Sequence, residues 1–334
     1  MGAMDAWTGF GRAVGSRMPF IVPCCVVAGV LLPQVFGPVE AVVPFLFAIM
    51  TFQGALNNTS RQLVEVFRHP ANLLTILFVL AVLMPFLAHL LAMALFGSNV
   101  NLVTGIVLEY SVPIGVVSFM WVGMFAGNGS LALAAILVST VLSPFTIPLT
   151  LQILLGQVVH IDAVSMMVNM IFMIALPALA GTFVNDATRG WGHEKLSPVI
   201  NPACRVMLAL IITANSTKMS EYVIHMTWQR AEVGLFILVF ATMGFVLGIV
   251  AARLLHAPFA DVVTMSFGCG MRNISSGAVI ASQYFPGEVV FPVMVGTVFQ
   301  QILAALFGNV MQRLTARERA GERRRVEDAA RRMR

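Results

Sequence analysis

Phe267-Gly268-Cys269-Gly270-Met271-Arg272-Asn273-Ile274-Ser275-Ser276 sits in the middle of an apolar run covering residues 259–285. Two glycines and an arginine do not belong inside a plain membrane-spanning helix. Glycine weakens a helix interior, and an arginine near the bilayer centre costs about 2.5–3.5 kcal/mol on insertion scales. Arg272 lies some thirteen residues into the run, too deep to snorkel easily. A helix interrupted in hydrocarbon is tolerated only where the break is buried in protein or lines a wet cavity. The stretch reads as a broken span with a function at the break.

The whole chain sets the context. Its 334 residues are 58% hydrophobic and 10% charged, against about 25% charged in an ordinary soluble domain. The mean hydropathy is +0.88. A globule of this size cannot keep that much apolar surface from water, which excludes a soluble enzyme, a disordered chain and a nucleic-acid module. An outer-membrane barrel alternates and is far less hydrophobic. One span needs about 20 apolar residues. Ten runs qualify: 19–36, 38–56, 71–97, 102–126, 129–155, 162–184, 199–217, 231–255, 259–285 and 287–311. The expected fold class is an all-α polytopic membrane protein with ten transmembrane helices.

Charge gives the expected orientation. Nine of the twenty Lys and Arg residues lie between Arg313 and Arg334, a tail suited to anionic headgroups or the cytoplasm. With the N-terminus in the cytoplasm, that side also holds Arg12, Arg17, Arg61, Arg68, Arg189, Lys195, Arg205 and Arg253. The other side holds Lys218 and Arg230. The positive-inside rule then predicts an inner (plasma) membrane protein with both termini cytoplasmic. The start, Met1 to Arg17, is polar with no cleavage site after the first apolar run, so no removable signal peptide is read. Cys24, Cys25, Cys204 and Cys269 sit in or beside apolar runs without metal-ligand spacing.

Ten spans divide into two inverted sets of five. Span 2 closes on Phe47-Ala48-Ile49-Met50-Thr51, then Asn57-Asn58-Thr59-Ser60. Span 7 closes on Ala209-Leu210-Ile211-Ile212-Thr213, then Asn215-Ser216-Thr217. Spans 4 and 9 carry breakers at matching places, Pro113 and Gly115 in one and Gly268 and Gly270 in the other. Interrupted spans at equivalent positions of two inverted halves point to a secondary transporter's binding site. Two half-helix N-termini meeting at mid-depth suit an anion. Ser118, Asn273 and Ser275 follow the breaks as hydrogen-bonding candidates. Arg272 is either half of a buried ion pair that fixes the fold or a group at the substrate or coupling-ion site. Glu109, about a turn before Pro113, is a proton carrier, a partner for Arg272, or a residue near the outer interface. No nucleophile–base pair, phosphate loop or metal cluster is present, so no catalytic residue, metal or cofactor is expected.

At these residues the chain resembles the bile acid:sodium symporter family, from about Pro19 to Gln312. The resemblance rests on the ten spans, on the stretch from Phe47 through Gln53-Gly54-Ala55-Leu56, and on Met84-Pro85. It also rests on Val112-Pro113-Ile114-Gly115, Gly127-Asn128, Leu142-Ser143-Pro144 and Gly270-Met271-Arg272-Asn273. It implies a cytoplasmic segment 1–18, a panel domain in residues 19–56 and 161–218, and a core domain in 57–160 and 219–312. A basic tail 313–334 follows. Spans 4 and 9 cross in the core, organic anions bind between the domains, and Gln300 faces that crevice. The family's sodium ligands fall here on Ser118-Phe119, Leu80, Ala132, Ile136, Gly268 and Arg272, so nearly every side-chain oxygen is gone. The expectation is a carrier of bile-acid-like or small-carboxylate anions by alternating access, sodium-independent, with Ser118, Arg272, Asn273 and Gln300 at the substrate. The alternatives are a sodium-coupled symporter with rearranged ligands and a non-transporting receptor or sensor. The expected partners are the organic anion and the lipid bilayer.

Overall fold

A computed structural model of the chain describes residues 3–57, 59, 70–157, 159 and 162–332, and helices account for nearly all of them. Asn58, Ser60, Arg61 and Arg68, named above, lie outside the described residues. In chain order the helices are α1 (Ala3–Leu31), α2 (Pro33–Phe36), α3 (Val43–Ala55), α4 (Pro70–Phe78), α5 (Met84–Phe96), α6 (Val100–Ser111), α7 (Val117–Met124), α8 (Gly129–Leu155), α9 (Ala163–Met170), α10 (Leu176–Ala187), α11 (Ser197–Thr217), α12 (Ser220–Ile224), α13 (Trp228–Leu254), α14 (Phe259–Gly270), α15 (Ile274–Tyr284) and α16 (Gly287–Arg332). Among the described residues, seven helical stretches are long and apolar enough to cross a bilayer, eight if the two arms of α1 count as one. The expected spans 102–126 and 259–285 are not single helices. Each is a pair, α6 with α7 and α14 with α15.

Local chemistry sets the ends of these helices. Asn99 caps α6, its Oδ1 accepting from Asn101 N at 3.1 Å and Leu102 N at 3.3 Å. Asn128 caps α8 through Leu131 N, and Asp162 caps α9 through Ser165 N. Each satisfies amides that the first turn leaves orphaned. Three π-helical turns, Val79–Leu83, Ile171–Ala175 and Gly192–Leu196, share one cause. Each ends two residues before a proline: Pro85, Pro177 and Pro198. Proline donates no N–H and its ring crowds the carbonyl four residues back. A widened turn absorbs the crowding without breaking the span.

The N-terminal segment, expected to be polar and outside the spans, is already helical from Ala3. The helix bends by 76° between the arms Ala6–Gly15 and Phe20–Leu31. Trp7 stacks on Phe10 with centroids 5.8 Å apart and donates from Nε1 to Val199 O at 2.9 Å. At the far end α16 runs without a break from the last apolar run into the basic tail.

Packing falls into two groups. α1 packs on α11, and α3 on α10 and α11. Separately, α6 packs on α5 and α16, α13 on α14 and α16, and α15 on α16. α15 also reaches the first group, touching α11 and α3, whereas α7 packs on α8 and α14. The two half-helices after the breaks are therefore not in equivalent surroundings. α15 is buried over most of its length, but α7 exposes Met120 and Met124 at 54% and 61%.

Candidate functional site

The two broken pairs meet at their gaps. Val112 is extended, as the residue before Pro113 prefers. Ile114 and Arg272 form an isolated antiparallel bridge. Asn273 N donates to Pro113 O at 2.8 Å and Gly115 N to Met271 O at 3.2 Å. The other two amides of the crossing find side chains. Ile114 N donates to Ser139 Oγ on α8 at 3.3 Å, and Arg272 N to Gln300 Oε1 on α16 at 2.7 Å. Backbone groups that hydrocarbon could not satisfy are thus paired inside the protein. Just beyond the crossing, Ser118 N turns back to Gly115 O at 2.9 Å, and Asn273 Oδ1 accepts from Ser276 N at 3.3 Å. The amides of Val116, Val117, Ile274 and Ser275 have no protein acceptor among the described residues. Val116 and Val117 are exposed.

Arg272 is 3% exposed and Glu109 equally so. The guanidinium carbon stands 6.0 Å from the centroid of the Tyr110 ring. That ring meets Phe240 edge-on at 4.5 Å, and the Tyr110 hydroxyl donates to Ile237 O at 3.0 Å. The guanidinium therefore lies in the interior beside α6 and α13, not on the exposed face that carries Val116 and Val117. Among the described residues its Nη1 and Nη2 are buried without a hydrogen-bond partner, as is Oε2 of Glu109. No ion pair joins the two residues; the ion pairs among the described residues are Lys218–Glu40 and Arg230–Glu288.

The site residues read from the sequence separate into several places. Pro113 and Gly115 lie in the gap between α6 and α7. Gly268 and Gly270 do not break a helix: α14 runs through both, and the gap is Met271–Asn273. Gly270 abuts the Phe245 ring and serves close packing, whereas Gly268 faces Ile76 and Ile114 with room for a Cβ. Ser118 is 1% exposed. Asn273 spends its side chain on the cap of α15. Gln300, expected to face the crevice, is half-buried and has its carbonyl oxygen on the Arg272 amide. Sequence reasoning passed over Ser139, which does for Ile114 what Gln300 does for Arg272, and Tyr110 beside the guanidinium. A polar side chain in the span following each broken one was the available signal for Ser139 and Gln300.

Two polar clusters tie the helix ends around this crossing. Asp261 near the start of α14 accepts from Asn72 Nδ2 on α4 at 2.6 Å and from Asn128 Nδ2 at 2.8 Å. Glu288 near the start of α16 accepts from Asn99 at 3.1 Å, Asn101 at 3.2 Å and Arg230 on α13 at 3.3 Å. At the α11 end, Lys218 Nζ pairs with Glu40 at 2.6 Å and donates to Ser282 O on α15 at 2.7 Å. Ser282 Oγ is 3.3 Å from Asn215 Oδ1 on α11.

Comparison with known proteins fits this arrangement. Residues 43–226 match the sodium bile acid symporter family. The uncharacterized protein YbaS of Bacillus subtilis is 35% identical over 296 residues, 89% of this chain and 97% of that protein. An uncharacterized sodium-dependent transporter of the same organism, YocS, is 20% identical over 96% of this chain and 98% of its own length. The probable sodium/metabolite cotransporter BASS1, chloroplastic, of Arabidopsis thaliana is 24% identical over 92% of this chain and 76% of its own. The family match covers more than half of a chain built of apolar helices. The chain therefore belongs to the sodium bile acid symporter family, multi-pass membrane transporters and not enzymes.

Proposed function

We propose that the protein carries organic anions, bile-acid-like or small carboxylates, across the inner (plasma) membrane by alternating access and without sodium. The observation that carries the reading is the buried guanidinium of Arg272 behind the helix crossing. Sodium must exchange its hydration shell for protein oxygens, yet Leu80, Ala132 and Ile136 are buried apolar side chains and Gly268 faces isoleucines. A fixed cation supplies positive charge there without being bound and released. Four unpaired amides and the positive ends of α7 and α15 offer an anion its hydrogen bonds at the crossing. Ser118, Asn273 and Gln300 act there by holding the half-helices, and Arg272 acts from behind them.

Ten spans follow if each broken pair counts as one and the arms of α1 as another, with both termini cytoplasmic. Two inverted five-helix repeats are supported by paired contacts. Ser139 and Gln300 serve Ile114 and Arg272 alike. Asn72 and Arg230, each the third residue of its helix, reach the carboxylates of Asp261 and Glu288 at opposite clusters. Thr51 and Thr213 donate back to Phe47 O and Ala209 O at 2.9 and 2.8 Å. The contacts of α1–α3, α10 and α11 support a panel against a core of the remaining helices, with α9, on the panel side in sequence, packed on α8 of the core. Contact of α15 with α11 and α3, beside an uncovered α7, supports a state closed at the Lys218 end.

The experiment is uptake into proteoliposomes, after a thermal-shift screen of carboxylates, sulfonates and bile salts, in sodium and in choline buffer at fixed pH. Equal rates in the two buffers are expected, and Arg272→Gln weakens anion binding at least tenfold. A steep sodium requirement establishes the second reading, a sodium-coupled symporter with rearranged ligands, which the names of YocS and BASS1 favour. Saturable binding without flux establishes a receptor.

A further inference from the structure

The interior layer behind the crossing holds an acid and a base that do not touch. Glu109 Oε2 and both terminal nitrogens of Arg272 are buried, and none has a hydrogen-bond partner among the described residues. Unpaired buried polar atoms are rare because each forfeits its hydration for nothing. An ionised carboxylate and a guanidinium in one dry layer gain most by closing into a charge-assisted pair. Here the backbone holds them apart. Arg272 is anchored through its amide on Gln300 and its bridge to Ile114. Glu109 Oε1 lies against the α-carbon of Gly296 on α16, where any side chain would collide with it. The acid is thus seated on bare backbone, clear of the guanidinium.

Few other groups compete for either partner. Tyr110 on α6 spends its hydroxyl on Ile237 O. Cys269 on α14 is buried in the apolar cluster. α5, which packs along α6, carries His89. α8 and α15 contribute Ser139 and Ser276, and α13 faces the layer with Ile237 and Phe240. Glu288 on α16 is held at the helix start by Asn99, Asn101 and Arg230. Glu109 is the carboxyl group available to the Arg272 guanidinium.

We infer that Glu109 is a proton-binding site that alternates between a proton and the Arg272 guanidinium, so that an anion crosses the membrane together with one proton. The inference rests on the carrier reading above. When an anion occupies the crossing it holds the positive charge of Arg272, and Glu109 takes one proton from water on that side. When the anion leaves on the far side, the proton leaves to water there, and the carboxylate turns to the guanidinium. One anion and one proton move per cycle, and no bond other than O–H is made or broken.

The test reads the proton itself and needs no substrate, so its failure and a failure of the carrier reading are distinguishable. Infrared difference spectra are recorded between low and high pH on the full chain in lipid vesicles. A carboxyl C=O band that grows as pH falls is expected. It is lost in Glu109→Gln, moved in frequency in Glu109→Asp, and displaced in midpoint in Arg272→Gln. Circular dichroism and gel filtration identify any variant that has not folded, and Glu109→Asp keeps the test open if Glu109→Gln fails. Identical difference spectra for the wild type and a folded Glu109 variant overturn the inference. So does a Glu109 band whose midpoint ignores Arg272→Gln.

Discussion

Replacing Gly115 and Gly268 by alanine, one at a time, separates a glycine that the helix crossing requires from one that it does not. A Cβ on Gly115 falls 2.7 Å from Arg272 O and 3.1 Å from Arg272 C. Both are backbone atoms of the opposing chain, held by the hydrogen bonds Asn273 N to Pro113 O and Gly115 N to Met271 O. Neither can rotate away as a side chain could, so the two chains must separate. Overpacking of this kind costs about 1–3 kcal/mol, and loosening two buried backbone hydrogen bonds adds about 0.5–1.5 kcal/mol each. Gly115→Ala is expected to cost about 2–6 kcal/mol on these figures. A Cβ on Gly268 meets Ile76 at 3.6 Å and Ile114 at 3.9 Å, ordinary contact distances, inside an unbroken helix. Alanine there gains helix propensity of up to about 1 kcal/mol. Thermal unfolding of each variant in detergent, followed by tryptophan fluorescence, reads the difference. Gly115→Ala melts well below the wild type and Gly268→Ala at or above it. A stable Gly115→Ala, or a Gly268→Ala that melts lower, refutes the account of how the two chains meet.

The polar ties at the helix ends make further predictions. Glu288→Ala leaves the Asn99 and Asn101 amides and the Arg230 guanidinium without their acceptor and costs about 1–3 kcal/mol of thermal stability. Asp261→Ala does the same to Asn72 and Asn128, and a loss at only one cluster contradicts their equivalence. Lys218→Ala frees Glu40 from α11 and removes one of the two polar ties between the α11 end and α15. In a Cys24→Ser, Cys25→Ser background, Ser282→Cys is expected to react slowly with a membrane-impermeant thiol reagent, because Ser282 is 2% exposed. Adding Lys218→Ala speeds that reaction several-fold. Unchanged labelling removes Lys218 as a latch.

The broad architecture was legible because hydropathy and breakers report it directly. Apolar runs located the helices, and Pro113 marked one break through its effect on Val112. The other break was legible in place but not in cause. Gly268 and Gly270 looked like breakers, yet glycine in a buried helix also permits close packing, and only the neighbouring Phe245 ring assigns that role to Gly270. The π turns before Pro85, Pro177 and Pro198 were not read from the prolines that accompany them. Gln300 was noticed, but the Arg272 amide that it accepts from was not. An amide in a span can face a crevice or satisfy a neighbour's backbone, and the choice depends on the approach of α14, which is fixed by residues distant in sequence.

A fixed cation has a thermodynamic consequence that bears on Glu109. Bound sodium brings its own charge and its gradient. Arg272 brings charge but crosses no gradient, because it returns with the protein. A carrier that moves only a monovalent anion therefore moves one net negative charge per cycle. Against 100 mV, negative on the receiving side, that costs about 2.3 kcal/mol, an accumulation ratio about 50-fold against entry. Such a carrier serves export. With one proton per anion the cycle is electroneutral, the potential drops out, and the pH difference alone sets the direction. The gap between Glu109 Oε2 and the Arg272 guanidinium thus decides more than local stability. If Glu109 takes part, a diffusion potential imposed on proteoliposomes leaves the net anion distribution unchanged while an imposed pH difference shifts it. If it does not, the two responses exchange. A distribution that follows voltage in the wild type and in Glu109→Gln alike would leave the carboxyl group no part in coupling.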